Sequence, residues 1–452
     1  MATRALISAP TAHQDGEFRT EPLTTHVPPG FLMLSGRFSG VRVRPGYFST
    51  SVDTWFMLPV SKTTNGMKAG FMLNIILVVV AAVVLAFMFH PRVTKNNAWH
   101  ATRTPLSSIL GSGFLILPPL LVSVVGVYSP FAVVGIVLFA YAIGSVIRFN
   151  IIHAEPLLHE RKAHPLISKV DLVANAALSF AYVTAVAFYL SLLSSFLLTF
   201  LGFENAHTLE RTLTTAVIVF IASTGFLRGL GGLEKLEAYS MSLQLSIVAA
   251  LLLGVFVYDF NFMQSEQSLS FEIQDRDLLE KVFILAGILL VVQGFETSRF
   301  LGEKYHAEVR VRTMRWAQLI GGALFVVSVI ALMPIVQHLN LEHIQVAEIV
   351  AATGLVATAL PLMLIVAAIM SQFSAAVADT VGAGSLASES SRGKLKTNMG
   401  YLVVSIFAIA LVWTADLLEI ISYASRAFAL YYLLQCFVAI MANRHHNEHK
   451  VR

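Results

Sequence analysis

The sequence predicts an all-α polytopic membrane protein built from two five-helix halves plus one extra N-terminal span. Three observations predict it. Of 452 residues, 56% are hydrophobic and only 13% charged, about half the charged share of a soluble domain. Mean hydropathy is +0.72. Long stretches free of Asp, Glu, Lys and Arg recur along the chain, each near the ~20 apolar residues that cross a bilayer. This composition excludes a disordered chain and argues against a soluble globular enzyme. A single cysteine, Cys436, excludes an internal disulfide framework and a cysteine-rich metal site. The net charge of +4 does not form the continuous basic face that nucleic acid needs.

The elements follow in order. Residues 1–66 are polar and rich in Pro, Gly and Thr, and residues 1–15 hold no apolar signal core. They read either as a disordered tail or as an upstream artefact, with Met67-Lys68 as the real start. Residues 67–91 form the extra span. The uncharged run 104–147 divides at Tyr128-Ser129-Pro130 into spans 1 and 2. Runs at 172–203, 212–227 and 238–258 supply spans 3 to 5. Span 6, about 278–302, carries Glu296 and Arg299. Runs at 316–341, 349–378 and 397–415 supply spans 7 to 9, and span 10, about 416–443, carries Arg426. The two halves are thus 104–258 and 278–442, followed by a polar tail at 443–452.

Lys and Arg fix the expected orientation. They gather at 148–169, at 299–315, in the loop after span 8 and in the C-terminal tail, all on one side. The positive-inside rule makes that side cytoplasmic. The opposite loop, 259–281, is acidic. A bacterial inner (plasma) membrane protein with an internal C-terminus is the expectation.

The first span of each half contains helix-weakening residues. Span 1 reads Gly111-Ser112-Gly113-Phe114, followed by Pro118-Pro119; span 6 reads Gln293-Gly294-Phe295-Glu296. Glycine weakens a helix and proline removes a donor. In lipid, freed backbone groups are tolerated only against protein or a wet cavity. Paired interruptions at matching positions therefore point to a binding site between the halves. The competing explanation is close helix packing at glycine. Glu296 lies inside the span, where ionisable residues are costly and functional by default. A pair with Arg299, one turn on, is its structural alternative.

These residues resemble the amino acid–polyamine–organocation (APC) superfamily. Gly111-Ser112-Gly113-Phe114 and Gly294-Phe295-Glu296 carry the likeness. Gly232-Leu233-Glu234-Lys235 before span 5 is similar to neurotransmitter–sodium symporters, and Ala368-Ile369-Met370-Ser371-Gln372-Phe373-Ser374 in span 8 to sodium–solute symporters. The likeness spans about 104–442, and the order of the motifs carries more than any one of them. It implies the LeuT-type five-plus-five inverted-repeat fold and a secondary transporter for an amino acid or related small solute. A non-transporting sensor or channel on the same fold is the alternative, and a membrane enzyme a more distant one.

The resemblance implies substrate contacts at Gly111, Ser112, Gly113, Phe114, Gln293, Gly294, Phe295 and Glu296. It further implies a cation between the break of span 1 and hydroxyls of span 8. Ser371 and Ser374, three residues apart, can share a helix face. Gln372 stands where sodium families usually place a second hydroxyl. Proton coupling is the rival, with Glu296 and Asp379 as carriers. Asp379 follows the run 349–378 and is placed near its inner boundary. The lysine that some proton-coupled relatives carry in span 5 has no counterpart in Gln244-Leu245-Ser246-Ile247.

No cofactor is implied beyond Na⁺ or H⁺ as coupling ion. The expected partners are a small-molecule substrate and the bilayer. His153, His159 and His164 beside Glu155 and Glu160 do not follow a zinc spacing such as H-E-x-x-H and read as a solvated loop. No phosphate-binding G-x-x-x-x-G-K-[ST] loop and no G-x-S-x-G elbow occur. Trp413, Tyr431 and Tyr432 read as lipid-facing or interfacial.

Overall fold

A computed structural model describes residues 64–451 apart from 112, 161–163, 204–205, 265–267, 272, 274–275, 342–345 and 392. The expectation for 1–66 falls almost wholly outside these. Every regular element among the described residues is helical. In chain order they are α1 (Thr64–Met88), α2 (Pro91–Thr94), α3 (Asn97–Leu110), α4 (Gly113–Val125), α5 (Ser129–Phe149), α6 (Glu155–His159), α7 (Pro165–Phe200) and α8 (His207–Gln264). They continue as α9 (Leu278–Ile288), α10 (Ala307–Val336), α11 (Val346–Ala352), α12 (Leu360–Ser390), α13 (Thr397–Thr414) and α14 (Leu417–Val451).

Among the described residues, eight helical stretches are long and apolar enough to cross a membrane. Two are far too long for one crossing. α8, with 58 residues, would measure about 87 Å as one straight helix. It bends instead at Gly229, whose φ of +63° and ψ of −159° lie outside helical space. Only glycine adopts such a φ readily. The other long stretch, Asn97–Leu158, is interrupted between α3 and α4 and again at Gly126–Tyr128.

Three boundaries differ from the sequence reading. Span 8 was expected at 349–378; α12 begins at Leu360 and runs on to Ser390. Asp379 therefore sits inside the helix and not at its edge. A lone carboxylate does not end a membrane helix when neighbouring helices supply its partners. The expected loop at 148–169 is largely helical as well. A π turn at Asn150–Ala154 and α6 extend α5, and the His164 side chain caps α7 by accepting from the Leu166 amide. The C-terminal tail continues α14 to Val451.

The core forms where α7 and α12 pack on one another and on α3, α8 and α14. Its apolar residues come from most of the long helices; a second apolar cluster gathers residues of α7, α8, α12 and α13, and a small third one lies at Ala154, Ile167, Val438 and Ala442. α1 lies on its periphery, most of its side chains unburied. It touches α8 through Leu77 at Gly254, and Asn74 binds Thr358 and the Ala359 amide just before α12.

Candidate functional site

Two chain interruptions meet at the centre of this bundle. α3 ends at Leu110, Gly111 has a φ of −1°, and α4 starts at Gly113. Ser112 lies outside the described residues. In the other segment α9 tightens into a 3₁₀ turn at Leu289–Val292. Gln293 is then extended and Gly294 left-handed, with φ +112°, before a second 3₁₀ stretch at Phe295–Leu301. Such stretches inside a membrane pass leave backbone groups without α-helical partners.

The two interruptions touch. A side-chain carbon on Gly294 would lie 2.6 Å from the Ser108 carbonyl carbon and 2.7 Å from the Ile109 nitrogen. One on Gly113 would lie 2.8 Å from Val291 and 2.9 Å from the Phe325 ring. The glycines thus permit the contact between the segments. Phe114 and Phe295 are buried beside them, and Phe295 stacks on Tyr432 with ring centres 5.4 Å apart.

Two carboxylates flank this contact. Glu296 is fully buried; its Oε2 accepts from the Tyr432 hydroxyl at 2.6 Å and from the Gly294 amide at 3.1 Å, while Oε1 has no partner. Asp379 is buried on α12; its Oδ1 accepts from the Ser108 hydroxyl at 2.6 Å, while Oδ2 has no partner. Ser108 is the residue that Gly294 lies against, so it links the two acids. From α7, Tyr182 and Tyr189 stand in the field of both carboxylates. The Tyr182 hydroxyl and Gln293 Oε1 have no partner.

Arg299 does not pair with Glu296, the structural alternative for that carboxylate. It pairs with Asp171 of α7 at 3.0 Å, and Gln435 donates to the same carboxylate oxygen at 3.3 Å. Glu296 and Arg299 each find a partner on another helix, Tyr432 and Asp171. Tyr431 and Tyr432 are also corrected: both are buried, and Tyr432 is the hydroxyl that binds Glu296. Trp413 is exposed.

Ser371 and Ser374 lie on the other side of the first interruption. Ser371 donates to the Gly111 carbonyl and accepts from Gln244 Nε2 at 2.9 Å. Ser374 donates to Gln244 Oε1 at 3.4 Å and to the Ser371 carbonyl at 3.1 Å. The Ser371 hydroxyl therefore meets the carbonyl end of α3, while Ser374 bonds to Gln244 and to the Ser371 carbonyl and not to α3. Gln372 is fully buried with both amide atoms unpartnered.

The structure thus brings together Gly111, Gly113, Gln293, Gly294, Glu296 and Asp379 around one contact, with Ser371 and Ser374 adjoining. Sequence reading missed Ser108, Tyr182, Tyr189 and Asp171, and noted Gln244 only for not being a lysine. Tyr182 and Tyr189 are seven residues apart, a spacing that puts them on one helix face. That was the available signal. Ser108 carried none.

Among known proteins, one family, described as APC superfamily transporter, matches most of the chain, residues 91–452, which begin just after α1. A protein of Aquifex aeolicus (strain VF5), named only "Uncharacterized protein", is 42% identical over 360 residues, covering 78% of this chain and 86% of that one. A solved structure of a Na⁺-coupled sialic acid symporter, in a substrate-bound outward-open state, aligns with a TM-score of 0.49 at 11% identity. It covers 81% of this chain and 85% of its own.

Proposed function

The chain belongs to the APC superfamily of transporters, and from that premise we propose that it carries an amino acid or related small organic solute by alternating access, driven by a coupling cation. It is an integral multi-pass membrane transporter, not an enzyme. The further reading is a LeuT-type arrangement of two inverted halves, 104–258 and 278–442, with the solute held between their first passes. The observation that carries it is the contact of the Gly111–Gly113 and Gln293–Gly294 interruptions beside Glu296 and Asp379.

Interrupted backbone offers amides to an anionic group and carbonyls to a cationic one. Amides near Gly113 and Phe114 and side-chain and backbone groups at Gln293 and Gly294 would receive the solute. Ser112 takes the same role by position. The coupling ion has two candidate seats. One is the Ser371–Ser374 edge of the first interruption, whose neutral oxygens suit Na⁺. The other is the acid pair: buried carboxylates are costly unless charge arrives to offset them, and each has an oxygen free to receive it. The Lys/Arg distribution supports the orientation with the C-terminus inside.

Reconstitution into proteoliposomes tests this. A thermal-stability screen across amino acids, amines and nucleobases would first identify a ligand. Its accumulation under a Na⁺ or a pH gradient is the expected result. Binding without accumulation or exchange would favour a sensor, and no uptake of any amino acid under either gradient would sink the assignment.

A further inference from the structure

One buried arginine on the basic side of the bundle stands without a carboxylate. Arg148 lies at the end of α5, whose 21 residues make about 32 Å of helix, close to the hydrocarbon thickness of a bilayer. The residue is only 6% exposed. Its Nη1 donates to the Gln318 side-chain carbonyl on α10 and its Nη2 to the Tyr141 carbonyl at 3.4 Å. The guanidinium lies over the Tyr141 ring, 4.5 Å from its centre. Gln318 in turn donates to the Ala140 carbonyl at 2.9 Å and packs against Gly144, where a side chain would have no room. α5 and α10 therefore approach closely here, and Arg148 closes the end of their seam.

Buried Arg299 and Arg310 on the same side each have a carboxylate, Asp171 at 3.0 Å and Glu155 at 2.8 Å. No carboxylate lies within ion-pair distance of Arg148 among the described residues. The charged group in its field is instead a second cation, Arg315 of α10. Arg315 precedes Gln318 by three residues, so the two are neighbours on the helix surface. Arg312, three residues earlier again, adds a third cation. Arg312 and Arg315 are exposed and form no ion pair among the described residues; Glu308, exposed one turn before Arg312, pairs with neither. Trp316, 54% exposed, and Leu319 continue the outward face of α10 into the uncharged run 316–341. An exposed tryptophan at the start of such a run marks the headgroup level of a membrane. The arginines therefore stand where lipid phosphates lie.

We propose that the end of the α5–α10 seam binds the headgroup of an anionic phospholipid, held by Arg148, Arg315 and Arg312. A buried cation is costly unless an anion meets it. Membrane topology asks only for basic residues in the flanking loop; it does not require one to be buried between two helices without an acid. Gln318 and Tyr141 accept from only two of the N–H groups of Arg148, and the rest are left for a ligand. Arginine forks bind phosphate oxygens in pairs. Basic pockets between membrane helices select anionic headgroups in this way. A zwitterionic lipid brings an ammonium group that these cations repel. A lipid suits the site better than a free anion because exposed Trp316 and Leu319 flank it, Leu319 one turn deeper where acyl chains run. The bound headgroup ties α5 to α10 at the membrane surface, whatever solute the protein carries.

Lipid titration of the full-length protein tests it. Protein in a neutral detergent receives phosphatidylglycerol, phosphatidylcholine or inorganic phosphate at equal concentration, and thermal unfolding is followed. Phosphatidylglycerol should raise Tm by several degrees, and the other two should not. Native mass spectrometry should show a phosphatidylglycerol molecule that survives delipidation. Arg312→Gln and Arg315→Gln, both at exposed positions, should each cut the Tm shift by at least half, and Arg148→Gln should abolish it. Lys394→Gln removes the same charge from an exposed position elsewhere on that side and should keep the full shift. Should Arg148→Gln fail to fold, the two exposed variants carry the test by themselves. Equal stabilisation by phosphatidylcholine overturns the proposal. So does a shift that survives Arg312→Gln combined with Arg315→Gln, or a loss that Lys394→Gln shares. An equal shift with inorganic phosphate also overturns it, because the site is then one for free anions and not for a lipid.

Discussion

The Ser108 hydroxyl donates to the Asp379 carboxylate at 2.6 Å, across 271 residues of sequence. The same Ser108 lies against Gly294, whose amide donates to Glu296. One serine at the end of α3 therefore stands between two buried acids from two other segments. Any movement of α3 relative to α12 must change the surroundings of both.

Close backbone contact at Gly294 makes it intolerant of a side chain. Gly294→Ala combines a φ of +112° with a carbon 2.6 Å from Ser108. Backbone strain of this kind costs about 1–3 kcal/mol, and the collision adds to it. Thermal unfolding in detergent should show a clear loss of stability, together with loss of uptake. Gly229→Ala, at φ +63° but with its nearest neighbour 3.4 Å away, should cost less. Equal losses would mean that the contact is not tight.

Gly113→Leu tests the first interruption. Its side chain would have to displace Val291 and the Phe325 ring. The variant should reach the membrane at normal levels and transport nothing. Wild-type uptake would remove Gly113 from the site.

The acids should separate accumulation from exchange. Glu296→Gln and Asp379→Asn are compared under a pH gradient. Whichever carries the proton should lose gradient-driven accumulation while keeping solute exchange, because binding the solute and releasing the proton are distinct steps. Tyr432→Phe removes one donor from Glu296; the loss of a buried hydrogen bond of this type costs about 1–3 kcal/mol. Accumulation unchanged in both acid variants would leave the acid pair without a coupling role.

Coupling through the serines gives the opposite result. Ser371→Ala withdraws an oxygen from the Gly111 carbonyl edge. It should raise the Na⁺ concentration for half-maximal uptake without unfolding the protein, since one neutral hydrogen bond contributes only about 1 kcal/mol. Uptake that ignores Na⁺ and follows pH would exclude this seat and return the role to the acids.

Arg299 and Asp171 form a buried pair at 3.0 Å. Removing one partner strands a buried charge, at a cost of about 3–5 kcal/mol. Arg299→Met should therefore destabilise strongly. Adding Asp171→Leu should recover much of the loss. Additive losses in this double-mutant cycle would show that the pair does not act as a unit.

The sequence by itself determined the class of molecule. Spanning a bilayer is a property of consecutive residues, so uncharged runs mark the membrane passes without any knowledge of packing. Gly111, Gly113 and Gly294 stood out for a local reason too, because a residue's backbone freedom is carried by the residue itself. Asp379 shows the limit of that reasoning. Cutting spans at charges placed it at a helix end, whereas α12 runs eleven residues further. Its neighbours, not its own chemistry, make the interior tolerable.

Only the tertiary structure decided which polar group meets which. Glu296 and Arg299 are three residues apart and of opposite charge, yet Glu296 binds Tyr432 and Arg299 binds Asp171. Helical spacing names the pairs that could form along one segment. It does not say which side chains a neighbouring helix will present. In a dry interior each buried charge binds the best donor or acceptor that packing delivers, and for these residues it comes from a helix more than a hundred residues away.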